Sequence, residues 1–300
     1  MSPANIEPSP GAPEAGSSGL PGSEIPVERV LALVRLLGDD DVKICSVAWA
    51  NLEKLGPAVL PYVEQARRNG NDARVRVQCC RFVQEWFRRE ALASWVRFSK
   101  EGSVQLEEGA FLIARTEYPE LDVGRCRAQL DAYAEEIRPR LRDAGSVDEA
   151  VRVLTRFLFA ELGFRGNVEN YYDPDNSYLN RVLEEKKGIP ISLSAVFLFV
   201  ARRLSVPVYG VGFPRHFCLK YRGESGDLFV DAFNGGRLLT VRDCVRFLSS
   251  AHLPFLDECL RAVSDREMLI RMLGNLLRIY CATGDQRRAD RIAGMLKLLS

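Results

Sequence analysis

Gly212-Phe213-Pro214-Arg215-His216-Phe217 and, fifteen residues on from the histidine, Asp231-Ala232-Phe233-Asn234-Gly235-Gly236 frame the stretch on which the reading of this chain turns. Apolar and polar positions alternate around them, and Val208 to Phe213, His216 to Tyr221 and Asp227 to Ala232 read as strands. If Arg222-Gly223-Glu224-Ser225 form a four-residue loop, Tyr221 opposes Gly226, and counting outward sets His216 opposite Asp231. Cross-strand neighbours stand about 4.5 to 5.5 Å apart at Cβ, close enough for an imidazole N–H to reach a carboxylate. Such a pair is the orienting half of a nucleophile-base-acid triad, in which the acid fixes the tautomer of the base. A structural clasp holding the hairpin uses the same two residues.

Upstream, Ser192 to Leu204 reads as a buried helix with Leu193, Val196, Phe197, Val200 and Leu204 on one side. A helix followed by an antiparallel sheet predicts an α+β unit. The helix is entered through Gly188-Ile189-Pro190-Ile191-Ser192, where a nucleophile is expected and no cysteine occurs. Ser192 is a candidate there, either as a nucleophile aimed at His216 or as an N-cap accepting backbone N–H bonds. Cys218 shares the strand face of His216. Two residues along a strand span about 6.6 Å, against the roughly 2.6 to 3.2 Å that a nucleophile and its base require, so Cys218 reads as a buried thiol. The polar, aromatic run Asn170 to Ser177 offers Tyr171, Tyr172, Asp173 and Asn176 as pocket residues or as a staple over the core. Asn234 and Gly235 supply backbone N–H groups or simply a turn.

Working outward, residues 1 to 26 hold six prolines and four glycines and few large apolar side chains, the composition of a disordered tail. Residues 27 to 102 carry helical periodicity, as at Val30, Leu31, Val34 and Leu37, with Asp39-Asp40-Asp41 as caps and breaks at Gly38, Gly56-Pro57 and Asn71-Asp72. From residue 103 three more helices are expected, Leu106 to Arg115, Val123 to Leu141 and Val147 to Leu162, with Asp122 and Ser146 as caps. The end, residues 263 to 300, predicts a helix pair, Arg266 to Ala282 and Gln286 to Leu299, with Ala289 and Ala293 allowing close approach.

Composition excludes several classes. With 41 basic against 40 acidic residues there is no bulk drive toward nucleic acid or an anionic membrane, and the Arg-Arg pairs lack interleaved aromatics. No window approaches the roughly eighteen uncharged apolar residues of a membrane span, so a cytoplasmic protein is expected. Eight cysteines without paired spacing read as free thiols, and with no Cys-x-x-Cys and two histidines no metal site is expected. No phosphate or dinucleotide loop is present, and no cofactor is expected.

Asn176-Ser177-Tyr178-Leu179-Asn180, Lys187-Gly188-Ile189-Pro190-Ile191-Ser192, the His216 motif and the Asp231 motif together resemble the SirB-type family of the transglutaminase-like superfamily, from about residue 103 to the end. Residues 27 to 102 resemble HEAT-type helix pairs and residues 263 to 300 a tetratricopeptide-like pair. The resemblance implies a mainly α fold around an α+β, papain-like core (residues 103 to 262) with a small antiparallel sheet. It also implies that His216 is the base and Asp231 its orienter. The superfamily's cysteine, at the N-terminus of the buried helix, falls on Pro190, which offers no nucleophile. The expectation is therefore a non-catalytic binding or regulatory protein with a protein partner, set against a hydrolase or acyltransferase on amide bonds with Ser192 as nucleophile.

Overall fold

The computed structural model describes residues 26–250, 252 and 257–300. The expected tail, residues 1 to 26, lies outside the described residues but for Pro26. Two compact units divide at Val83 and Gln84.

The first unit is helical. α1 (Val27–Leu36) buries Val30 and Val34, and α2 (Val42–Leu55) buries Ala48 and Leu52. Asp41 caps α2, its Oδ1 accepting from the Lys43 N–H at 2.8 Å, while Gly56 ends it with φ 78°, a left-handed value glycine adopts freely. A 3-10 turn, Pro57–Val59, leads into α3 (Leu60–Asn69).

α4 (Ala73–Ser99) continues across the division between the units. Trp95 and Phe98, near its end, belong to the core of the second unit. Trp95 is fully buried and its Nε1 donates to the Met295 carbonyl at 3.1 Å.

In the second unit α5 (Leu106–Glu117), α6 (Val123–Arg142) and α7 (Val147–Thr155) follow, and α7 runs on into a π turn, Arg156–Glu161. Asp122 and Ser146 cap α6 and α7 as the sequence predicts. A short parallel pair, β1 (Arg165–Gly166) and β2 (Lys187–Gly188), brackets the polar loop, a 3-10 turn over Pro174–Ser177 and α8 (Leu179–Glu185). α9 (Pro190–Arg203) is buried from Pro190 through Ala201, the mark of a helix enclosed on all sides. It starts two residues earlier than the sequence predicts, since proline is tolerated at the first helical position.

The sheet is an antiparallel meander of β3 (Tyr209–Val211), β4 (Cys218–Gly223), β5 (Gly226–Asp231) and β6 (Arg237–Thr240). Its hairpin corrects the expected register. Glu224 and Ser225 alone form the turn, Gly223 pairs with Gly226, and Leu219 pairs with Val230, so the next position along sets Cys218, not His216, against Asp231. The slip is two residues. Because strand faces alternate with period two, His216 keeps the face of Asp231 although it lies beyond the end of β4.

The sequence reading placed no elements between Gly236 and Asp265; the structure has β6 and α10 (Val241–Ser250) there. α11 (Asp265–Thr283) and α12 (Gln286–Leu299) close the chain. Ala289 is buried as expected, whereas Ala293 faces solvent and cannot set the helix spacing. Asp265, at the start of α11, binds Arg202 at 2.5 Å and the Leu106 N–H at 2.8 Å, tying α11 to α9 and α5. The resulting fold is mostly helical, with a small four-stranded antiparallel sheet beside the two-stranded parallel pair.

Candidate functional site

His216 sits between the sheet and the helices because the chain reverses just before it. Pro214 and Arg215 form the turn, Arg215 has φ 64°, and the His216 N–H donates to the Phe213 carbonyl at 3.2 Å. The imidazole packs against Phe247, ring centres 5.3 Å apart, and against the edge of Phe233. Its Nε2 lies 3.0 Å from Oδ2 of Asp231, with only about a tenth of either side chain exposed. Nε2 makes no well-aligned hydrogen bond in this position, so Asp231 is its neighbour by distance.

Asp231 ends β5 and is held from a second side. Asn234 donates its Nδ2 to Oδ2 at 2.7 Å and its backbone N–H to Oδ1 at 3.2 Å. Burial pushes the Asp231 carboxyl up, but the contacts from His216 and Asn234 together outweigh it and hold the pKa below its ordinary value. Asp231 is therefore a carboxylate at neutral pH, able to fix the imidazole.

Two clefts meet at His216. The first, about 350 Å³, is bounded by the first turn of α9 at Pro190 and Ile191, by Tyr171, and by Arg271 and Arg278 of α11. The second, about 360 Å³, opens onto Cys218, Asp231, Asn234 and Phe247. Arg271 braces the turn that carries the histidine: its Nη2 donates to the carbonyls of Phe213 and His216, both at 2.6 Å. Burial pulls the Arg271 pKa below its ordinary value, and nearby Arg278 pulls the same way.

The other residues singled out from sequence scatter. Ser192 is the third residue of α9 rather than its N-cap, is fully buried, and donates its Oγ to the Asn176 carbonyl at 2.6 Å while accepting from the Ile189 N–H at 3.1 Å. Its hydroxyl closes the helix start and lines neither cleft. Asn176 is buried and pins the polar loop, donating to the Asn170 and Tyr171 carbonyls. Asp173 caps the following 3-10 turn, accepting from the Asp175 N–H at 3.0 Å. Tyr171 borders the first cleft, while Tyr172 is mostly exposed and stacks edge-on to it. Gly235 and Gly236 adopt left-handed φ of 68° and 75°, turning the chain back so that the Gly236 N–H reaches the Asp231 carbonyl at 2.9 Å.

Cys218 is buried, and its thiol is pushed well up by burial and by Asp231 and Cys244. One ligand atom each from His216, Cys218 and Asp231 lies within 4.8 Å of the others, a donor set of zinc type. Metal bonds of 2.0 to 2.3 Å place tetrahedral ligands about 3.3 to 3.8 Å apart, so these donors would have to close up to hold an ion. Sequence reasoning missed Arg215, Arg271, Asn275 and Arg278. The last three share one face of α11 with Gly274 at spacings of three and four, a polar stripe that was the available signal.

Residues 124–274, half of the chain, match the family described as the transglutaminase-like superfamily. A UPF0162 protein of Xylella fastidiosa (strain 9a5c) is 39% identical over 204 residues, covering 66% of this chain and 73% of that protein. A UPF0162 protein of Pseudomonas aeruginosa is 32% identical over 183 residues, 60% of this chain and 66% of its own length. F-box only protein 21 of Mus musculus is 40% identical over 128 residues, 40% of this chain but 20% of that protein. No solved structure matches significantly. Among the described residues no helix is long and apolar enough to cross a membrane.

Proposed function

Because the chain belongs to the transglutaminase-like superfamily, we propose that it is a member in which the catalytic cleft has been turned to binding, acting through a protein partner. One observation carries this reading. Pro190 is the first residue of α9 and borders the same cleft as His216, in the position where the superfamily resemblance expects a cysteine, and it has no group that can attack a carbonyl. Ser192, the hydroxyl that could have replaced the thiol, is buried and spent on the helix start.

His216 with Asp231 and Asn234 then supplies an oriented imidazole to the cleft. Nε2 faces Asp231, which leaves Nδ1 as the ring atom for an incoming group. A polar, oriented site in a cleft of about 350 Å³ suits recognition of a side chain or a chain end. The segment shared with F-box only protein 21 is a fifth of that protein, in keeping with a domain used as a module. The helices of the first unit, read as HEAT-like, and the tetratricopeptide-like pair α11–α12 would add partner surface; Val42 and Val47 of the first unit are more than half exposed.

The test uses the full chain as bait, with His216→Gln and Val47→Asp variants whose melting temperatures are checked first. The expected result is a partner captured by the wild type and lost with His216→Gln, together with no His216-dependent turnover of amide or ester substrates. Partner sets unchanged in both variants would overturn the binding reading. His216-dependent turnover would replace it with the hydrolase or acyltransferase reading.

A further inference from the structure

We propose that the cleft beside His216 captures a carboxylate on an acidic segment of the protein partner, with Arg215, Arg271 and Arg278 as its cationic rim. The inference deepens the binding reading and rests on it for the partner being a protein.

Charge distribution is the first ground. Three arginines border this cleft and no acidic residue does, in a chain whose 41 basic and 40 acidic residues otherwise balance. None of the three has a carboxylate partner among the described residues. Other arginines do: Arg202 pairs with Asp265, and Arg203 with Glu107 and Asp131. Arg271 is the most enclosed of the three. One of its nitrogens is committed to two carbonyls and the guanidinium lies over the Phe217 ring, so its remaining N–H groups are held rather than free to swing. A cation with no anion beside it in a partly buried site costs free energy that an incoming carboxylate would recover.

Geometry is the second ground. Arg271, Gly274, Asn275 and Arg278 follow one another along a single face of α11, and a Cβ added at Gly274 would meet nothing within 4 Å, so the floor of the cleft is open between the two arginines. Pro190 and Ile191 of the first turn of α9 also line the cleft, and the partial positive charge of that helix start favours an anion there. Arg215 is held at φ 64°, a conformation that costs a non-glycine residue about 1 to 2 kcal/mol, and its side chain stands at the exposed rim.

One feature favours a carboxylate side chain over free phosphate. The wall of Pro190, Ile191 and Phe217 is apolar and fits the methylene stem of an acidic side chain.

The experiment is fluorescence anisotropy of a fluorescein-labelled oligoglutamate peptide on the full-length protein, with an oligolysine peptide as control. Oligoglutamate should bind, oligolysine should not, and binding should weaken as salt is raised. Arg215→Glu and Arg278→Glu, both at exposed positions, should each weaken it about tenfold, and Gly274→Glu, which sets a carboxylate of the protein's own into the cleft, should abolish it. Melting temperatures near wild type would confirm that each variant is folded. Glutarate should compete and inorganic phosphate should compete poorly; equal competition by phosphate would overturn the carboxylate assignment. Absence of oligoglutamate binding, or binding indifferent to the three variants, would overturn the proposal. If that happens while partner capture still depends on His216, only the acidic ligand is wrong. If oligoglutamate binds and His216-dependent turnover is found, the cleft is anionic in preference but the non-catalytic reading fails.

Discussion

At Asp231 three contributions compete, and their balance sets a pH dependence. Burial raises the pKa, His216 and Asn234 lower it, and the net value lies below the ordinary 3.8. A carboxyl whose folded pKa is depressed adds stability that is complete above its unfolded pKa and is lost as pH falls through the folded one. The stabilisation from Asp231 is thus present at neutral pH and disappears on acidification below about pH 4. Urea midpoints measured across that range should fall for the wild type, and Asp231→Asn should flatten part of the fall. An identical acid limb in both proteins would mean that the contacts around Asp231 contribute nothing. The pairing of His216 with Asp231 was legible in sequence although the loop count was wrong, because an error of two residues preserves the strand face. Arg271 and Arg278 were not legible, since they lie some fifty residues downstream on a helix where exposed arginines are ordinary.

The turn between β5 and β6 is the element that presents Asn234 to Asp231. Gly236 makes it possible in two ways: its φ is 75°, and a Cβ there would lie 2.3 Å from Phe159 and 2.4 Å from Thr155. Gly236→Ala should therefore destabilise the fold by about 2 to 5 kcal/mol, the sum of a left-handed backbone at about 1 to 2 and overpacking at about 1 to 3. Thermal or urea unfolding checks the figure; a change under about 0.5 kcal/mol would show that the turn relaxes freely. Helices were easier to read than this turn. Caps at Asp41, Asp122 and Ser146 are local signals, each a side chain satisfying an N–H two or three residues away. β6 and α10 were missed because short elements depend on packing partners elsewhere, Cys244 and Leu248 burying against the face of β3 and β5.

For the whole molecule, the end of α4 carries a consequence for how far the chain can be shortened. Trp95 is enclosed by the second core and bonded to α12. Trp95→Ala should cost about 3 to 5 kcal/mol, and a chain begun at residue 103 should be less stable than the full chain by at least as much. Equal melting temperatures for the full and shortened chains would contradict that assignment. The fold places a histidine and the start of a buried helix around one cleft, with the aspartate behind the histidine, and the central claim is that Pro190 fills the position of a nucleophile there. The most direct measurement is the alkylation rate of Pro190→Cys at neutral pH in the folded protein, resolved by peptide mapping from exposed Cys281 and the other native thiols. A thiol at a helix N-terminus beside an imidazole becomes a thiolate readily, so the account predicts labelling much faster than that of Cys281, slowed by His216→Gln to the rate of an ordinary exposed thiol. Labelling no faster than Cys281 and indifferent to His216→Gln would contradict it.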